Sequence, residues 1–586
     1  MLRGFRWQAL ALVISVVLFG VVVSFRFLGG EATPDTIAEA TSESASPTPS
    51  PAPTLTPAPT FTPQPTTVDS VAVPEDTITT FTEGVVGSVQ RLNPLLISSQ
   101  VERDITSLIF QGLVGINEFG EPEPELASDW AFSRDGYEMV VLLRQDILWQ
   151  DGTPFDVEDV LYTYSLLASP DFPVPEVRAF WQTVEIQRLG NFALRFRLAQ
   201  PLASFPTRLT MGILPQHALV GTTASGLLEH PFNLTPIGTG AYQLEGLRSV
   251  NGQQIDAVDL RVAPTFRQRP EGTAGYLMER MRFRVFTSYE LAVNAFVAGD
   301  IDGLASRSAS DRETLLRLGN ATLFTQIEPT VGMLIFNWDE GETTRFFSDS
   351  RVRSGLQRSL NRRFPVDTIL FNRAVVADSP LRPFFWAYNS TFSYPETDPA
   401  RAIELFDSAN IVLPEDTDFG DVRYQFAILV IDTPAMVGLA QNIASQWSGF
   451  ELGVSVEAVA PDVYQERLAN GDFDTAIVEY QLGADPDVFA YWHPDQYPDG
   501  LNYGGVNDTR ISEALERGRQ TTANLSRVQI YRDFQVQFAN QAIAIPLYYP
   551  LYTYAVTQDL AGMQLGFISS PEDRFRTLAE WQITTP

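Results

Sequence analysis

Two aspartates, Asp485 and Asp487, flank Pro486 just after the apolar run 475–480 and just before Phe489, Tyr491 and Trp492. Carboxylates at a strand end beside aromatic rings suit a cleft that holds a cationic or hydroxylated ligand. A proline turn is the plainer account of the same residues. Other acid groups have structural readings. Asp156, Glu158 and Asp159 fall in the first turns of an expected helix, where negative charge offsets the helix dipole. Asp416, Asp418 and Asp421 carry the odd spacing of a calcium loop. Ala427 stands where an EF-hand needs its bidentate acid, so they read as a solvated loop.

Nucleophiles and metal ligands are scarce. The chain has no cysteine, which excludes disulfides, thiol nucleophiles and thiolate metal sites. Its three histidines, His217, His230 and His493, are scattered, so no metal site and no cofactor is expected. His217, after Leu214-Pro215-Gln216, reads as a packed strand-end residue, and His493 fits packing better than a cleft wall. The patterns G-x-S-x-G, H-E-x-x-H and G-x-x-x-x-G-K-[ST] are missing. Gly238-Thr239-Gly240 precedes a strand rather than a helix, so it reads as a tight turn and not a phosphate cradle. The expectation is a protein that is not an enzyme. A formal net charge of −31 repels phosphates and excludes nucleic acid as a partner.

The elements that must position these residues are legible in places. After Arg3 and Arg6 comes an uncharged run from Trp7 to Phe25, about nineteen residues, closed by Arg26. This reads as a transmembrane anchor over 7–28 behind a cytoplasmic stub at 1–6, with a cleaved signal peptide as the other reading. Residues 29–75 are rich in Pro, Thr and Ser and cannot bury apolar surface, so they read as a disordered stalk. From about residue 76 strands and helices alternate. Strands are expected at 193–198, 255–262, 424–430 and 543–549. Helices are expected after a Thr153 cap, after Asp398-Pro399 and from Asn524.

In order, Leu92-Asn93-Pro94-Leu95, Ile109-Phe110-Gln111-Gly112-Leu113-Val114, Pro124-Glu125-Leu126-Ala127-Ser128-Asp129-Trp130, Trp149-Gln150-Asp151-Gly152-Thr153-Pro154-Phe155, Gly238-Thr239-Gly240-Ala241-Tyr242, Ala298-Gly299-Asp300-Ile301-Asp302 and Asp349-Ser350-Arg351-Val352-Arg353 run through the body. This series resembles the family 5 extracellular solute-binding proteins of ABC importers, the peptide- and nickel-binding group. The resemblance implies an α/β fold of the type II periplasmic-binding-protein kind, bilobal with an extra small domain. Lobe I would comprise 76–122, 201–336 and 551–586, the extra lobe II 123–200, and lobe III 337–550. A small solute, with a peptide as first guess, would lie between lobes I and III and pass to ABC permease and ATPase subunits, the anchor keeping the binding domain outside the cytoplasm.

The ligand-binding residues implied are Asn93, Leu95, Ile97 and Ser98 from the first lobe, Asn337 and Trp338 at the crossing, and Trp386, Tyr480, Asp485 and Asp487 from the other. In peptide-binding members an aspartate shortly before the segment matching Asp485-Pro486-Asp487 holds the ligand's ammonium. That stretch is shortened here to Gln481-Leu482-Gly483-Ala484, which leaves Asp485 to stand in. The alternative is a sensory or scaffold receptor with the same fold feeding a signalling partner; an exported hydrolase using an acid pair is a third reading.

Overall fold

The computed structural model describes residues 78–584, except 250–251, 253, 270–274, 340–344 and 410–421. The expected stub, anchor and stalk at 1–75 lie outside the described residues, as does the Asp416, Asp418 and Asp421 loop. Among the described residues no helix is long and apolar enough to cross a membrane.

Twelve strands form one large sheet. Numbered along the chain they are β1 (Thr80–Val86), β2 (Tyr242–Arg248), β3 (Ala257–Val262), β4 (Arg280–Phe286), β5 (Gly303–Ala305) and β6 (Ala321–Ile327). The remainder are β7 (Thr330–Phe336), β8 (Ala374–Val376), β9 (Tyr424–Ile431), β10 (Leu452–Val459), β11 (Thr475–Gln481) and β12 (Ile545–Thr557). The long strand β12 joins two half-sheets. Its first part pairs antiparallel with β7 (Leu334 opposite Ile545) and with β8 (Ala374 opposite Pro550). Its second part pairs antiparallel with β6 (Ile327 opposite Leu551) and with β5 (Gly303 opposite Val556).

Two segments therefore cross between the halves side by side. One is β12 at Pro550–Leu551, and the other is the turn Glu328-Pro329 that joins β6 to β7. They bond to each other: Glu328 N–H donates to the Pro550 carbonyl at 2.9 Å. Beyond the crossing, β1 lies parallel to β4 and β5, and β9 lies parallel to β10 and β11. Each half thus gathers the carboxyl ends of three parallel strands at one edge, the place where open α/β sheets bind ligands. Residues 127–197 build a separate four-stranded antiparallel sheet, Ala127–Phe132, Glu138–Leu143, Ala193–Arg197 and Glu185–Gly190 in spatial order. This is the mixed α/β architecture expected of a type II binding protein.

Local signals explain several elements. Asp398 caps the helix Pro399–Ser408 by accepting from Arg401 N–H, with Pro399 at the first position where its missing donor costs nothing. The helix expected after Thr153 instead spans Val157–Ala168 and is capped by Asp156, whose side chain accepts from Glu158 N–H while Asp159 reaches back to Asp156 N–H. Pro154 is drawn into a bridge with Leu148, and two carboxylates satisfy more helix donors than the threonine would. The Gly238-Thr239-Gly240 turn lies against the end of another helix. A Cβ on Gly240 would stand 2.5 Å from the Leu108 carbonyl oxygen, so glycine is there for close approach. The Gln150 amide pins the turn, accepting from Gly238 N–H and donating to the Tyr242 carbonyl.

Candidate functional site

A chamber of about 650 Å³ opens at the crossing. The first half contributes Arg307 and Ser308, just past the carboxyl end of β5; the crossing contributes Glu328, Pro550 and Leu551. The second half contributes Thr433 and Met436 beyond β9, Tyr464 from the helix Pro461–Ala469, Ile477 to Glu479 from β11, and Tyr503. Arg307 also borders a pocket of about 270 Å³ in the first half, between the end of β1 and Gln100, Tyr552 and Arg574.

Charge in the chamber is unbalanced. No described residue donates a hydrogen bond to the Glu328 carboxylate or forms an ion pair with it. Burial holds this carboxyl up at about 7; the negative charge of Glu479 pushes the same way and Arg312 only partly opposes it. Glu479 accepts the Tyr548 hydroxyl at 2.8 Å. Burial raises that hydroxyl's pKa well above its ordinary value, so it remains a donor. The arginines on the wall are engaged. Arg307 pairs with Asp311 at 3.2 Å, and Arg373 binds Glu313 through Nε at 2.6 Å. Arg312 is buried and spends its donors on the Asn372 carbonyl and the Thr553 hydroxyl.

The adjoining pocket is built on a buried network. Arg574, 1% exposed, pairs with Asp104 at 2.6 Å and Glu83 at 3.0 Å. Tyr554 donates its hydroxyl to Glu83, and the Gln100 amide reaches Asp104 and Glu572. The Tyr552 hydroxyl is buried on the same wall and has no hydrogen-bond partner among the described residues.

Another cavity, of about 400 Å³, is lined by Ser204, Thr207 and Arg208 on one side and by residues 481–485, Asp487 and Arg519 on the other. The two aspartates singled out from sequence stand here with their charges already matched. Asp485 is held by both terminal nitrogens of Arg527, at 2.6 and 2.8 Å, and both side chains are under a tenth exposed. Asp487 accepts twice from Arg519 Nε and once from the Ser204 hydroxyl. Arg527 and Arg519 thus occupy the positions that a ligand cation would need.

None of the ten residues expected in the site lines the 650 Å³ chamber. Asn93 is buried and donates to Asn233 while accepting from Leu95 N–H, so it shapes a turn; Leu95 packs in the core. Ile97 is half-buried, and Ser98 gives its N–H and hydroxyl to Glu102 two residues before Gln100 reaches the smaller pocket. Asn337 and Trp338 sit at the carboxyl end of β7, whereas the crossing is at its amino end. Asn337 donates to the Gly471 and Phe473 carbonyls, and Arg353 lies over the Trp338 ring at 3.7 Å. Trp386 packs beneath Arg527 at 5.2 Å. Tyr480, 4% exposed, stacks with Tyr491 and with Tyr503, the second of which does face the chamber.

Sequence reasoning did not single out Glu328 and Glu479, which line the chamber. The available signal was an acid inside the otherwise apolar run 475–480 and a lone Glu-Pro step between two strands. The histidines serve structure: His217 bonds Asp151 at 2.7 Å, and His493 stacks on Phe489 at 3.9 Å. Among the described residues no group of three or more His, Cys, Asp or Glu is placed to hold a metal ion.

Two half-sheets with a chamber between them at the strand ends define a solute-binding receptor. The family model for bacterial extracellular solute-binding proteins, family 5, matches residues 121–502. The chain belongs to that family, and its function is that of an extracytoplasmic solute-binding component of an ABC importer. It is similar to the oligopeptide-binding protein AppA of Bacillus subtilis, at 22% identity over 82% of this chain and 88% of the relative. Likeness to the nickel-binding periplasmic protein of Escherichia coli is 24% over 82% and 90%. The solved structure of Bacillus subtilis AppA in complex with a nonapeptide superposes with a TM-score of 0.61, at 20% identity, over 86% of this chain and 99% of that one. These relatives are binding proteins, and the sensory alternative finds no support in them.

Proposed function

We propose that the chamber at the crossing captures a peptide or similar small solute, which leaves chemically unchanged for an ABC permease and its ATPase subunits. The observation that carries this reading is a 650 Å³ space faced by strand carboxyl ends of both half-sheets and floored by the crossing segments. Lobe I comprises 76–122, 201–336 and 551–586, lobe III 337–550 and the extra lobe 123–200, with the crossing at Glu328–Thr330 and Pro550–Leu551 close to where lobes I and III exchange chain. A solute touching both walls favours the state in which they approach, since only that state offers both sets of contacts. The segment 7–28, with its uncharged run from Trp7 to Phe25, holds the protein in the membrane as a single span, with the stalk carrying the binding domain away from it. Backbone pairing to exposed strand ends would give a peptide affinity with little dependence on side chains.

Titration calorimetry on the full chain with Ala-Ala-Ala, and with maltotriose as a non-peptide control, tests the class of solute. The peptide is expected to bind and the sugar to give no heat. The reverse result would move the solute out of the peptide class.

A further inference from the structure

We propose that the chamber selects solutes bearing a positive charge, an ammonium or guanidinium group received by Glu328 and Glu479. This rests on the reading of the chamber as the solute site and adds the chemistry of what it accepts. The chain contains no lysine, so arginine supplies every strong cation of its side chains. The two arginines on the chamber wall, Arg307 and Arg373, are each committed to a neighbouring carboxylate outside the pair. Arg312, behind the wall, is bonded to the Asn372 carbonyl and the Thr553 hydroxyl. Glu328 and Glu479 therefore line the same space; Tyr548 donates its hydroxyl to Glu479, and among the described residues no cation is bonded to either acid.

Glu328, partly buried, lies close enough to the exposed carboxylate of Glu479 to feel its charge, and a solute cation relieves that repulsion while forming charge-assisted hydrogen bonds. The elevated pKa of Glu328 agrees with a carboxylate that lacks its counter-ion. The adjoining wall points the same way. Arg574 is outnumbered there by Glu83, Asp104 and Glu572. Tyr464 and Tyr503 also line the chamber, and aromatic rings attract cations. The position differs from the one expected at Asp485, whose charge Arg527 already neutralises.

The test is titration calorimetry of the full chain near pH 7.5 with Lys-Lys-Lys, Ala-Ala-Ala and Glu-Glu-Glu. It is repeated on Glu328→Gln and Glu479→Gln, with melting curves confirming that each variant is folded. Lys-Lys-Lys is expected to bind about tenfold or more tighter than Ala-Ala-Ala, and Glu-Glu-Glu weakest. Each variant should remove most of that preference. N-acetyl-Lys-Lys-Lys, whose only cations are side-chain ammonium groups, is expected to keep the preference over N-acetyl-Ala-Ala-Ala, and loss of that preference would overturn the assignment. Equal binding of the three peptides, or variants that leave the preference intact, would overturn the charge selection while the receptor reading stands. Failure of all three to bind would remove the peptide reading and the charge selection together.

Discussion

Glu328 stores an electrostatic cost in the empty receptor. Its carboxyl is held at about 7 against an ordinary value of 4.5, so between those values the folded chain binds more protons than the unfolded chain. Stability must then fall as pH rises through that window and stay level above it. Glu328→Gln is therefore expected to raise stability at pH 8 by on the order of 1–3 kcal/mol, and to change nothing near pH 4. Denaturant melts of the full chain at both values check this; a gain at pH 4 as large as at pH 8 would mean that the cost is not one of charge. The same linkage predicts that Lys-Lys-Lys binds more tightly at pH 8 than at pH 6, as Glu328 gives up its proton beside Glu479, Arg312 and Tyr548. Asp485→Asn behaves differently. It leaves the buried Arg527 without its counter-ion and should cost about 3–5 kcal/mol, with Lys-Lys-Lys affinity nearly unchanged. The sequence exposed Asp485-Pro486-Asp487 as strand-end acids, but their partners lie 42 and 32 positions later, and no local pattern links them. Glu328 and Glu479 stay hidden for the complementary reason: each is a lone acid in an ordinary strand text, and only the fold brings them to one space.

Helices declare themselves through their caps, and strands declare themselves less completely. Asp398-Pro399 marks the start of its helix because one carboxylate and one ring satisfy local rules. The strand expected at 543–549 extends instead as Ile545–Thr557, through Pro550, which reads as a stop because it lacks an N–H. At the crossing that position needs only to accept, from Glu328 N–H, so the strand continues into the other half. Neighbouring β7 requires glycine at 332, where a Cβ would collide with the Tyr548 ring. Gly332→Ala is expected to cost about 1–3 kcal/mol, read as a lower denaturant midpoint, and to displace the hydroxyl that serves Glu479. An unchanged midpoint would show that the two strands have slack at the crossing.

Over the whole molecule, the family resemblance carried by motifs spread through the body gave the fold class and the receptor role. The positions that line the chamber were not legible, because they depend on how two half-sheets converge. A chain of formal charge −31 also draws cations from a distance, so the association rate of Lys-Lys-Lys should fall steeply with added salt while that of Ala-Ala-Ala changes little. Stopped-flow kinetics at two ionic strengths reads this directly. Capture between the two walls requires the halves to approach each other over a solute. Leu291, on the helix Tyr289–Ala298, and Val463, on the helix Pro461–Ala469, are both exposed, one on each half. The chain has no cysteine, so Leu291→Cys with Val463→Cys places a spin label at those two sites alone. Pulsed electron–electron spin resonance on this variant should show the distance between labels shorten when Lys-Lys-Lys is added to saturation. A distance distribution that stays the same while calorimetry records full binding would contradict the account.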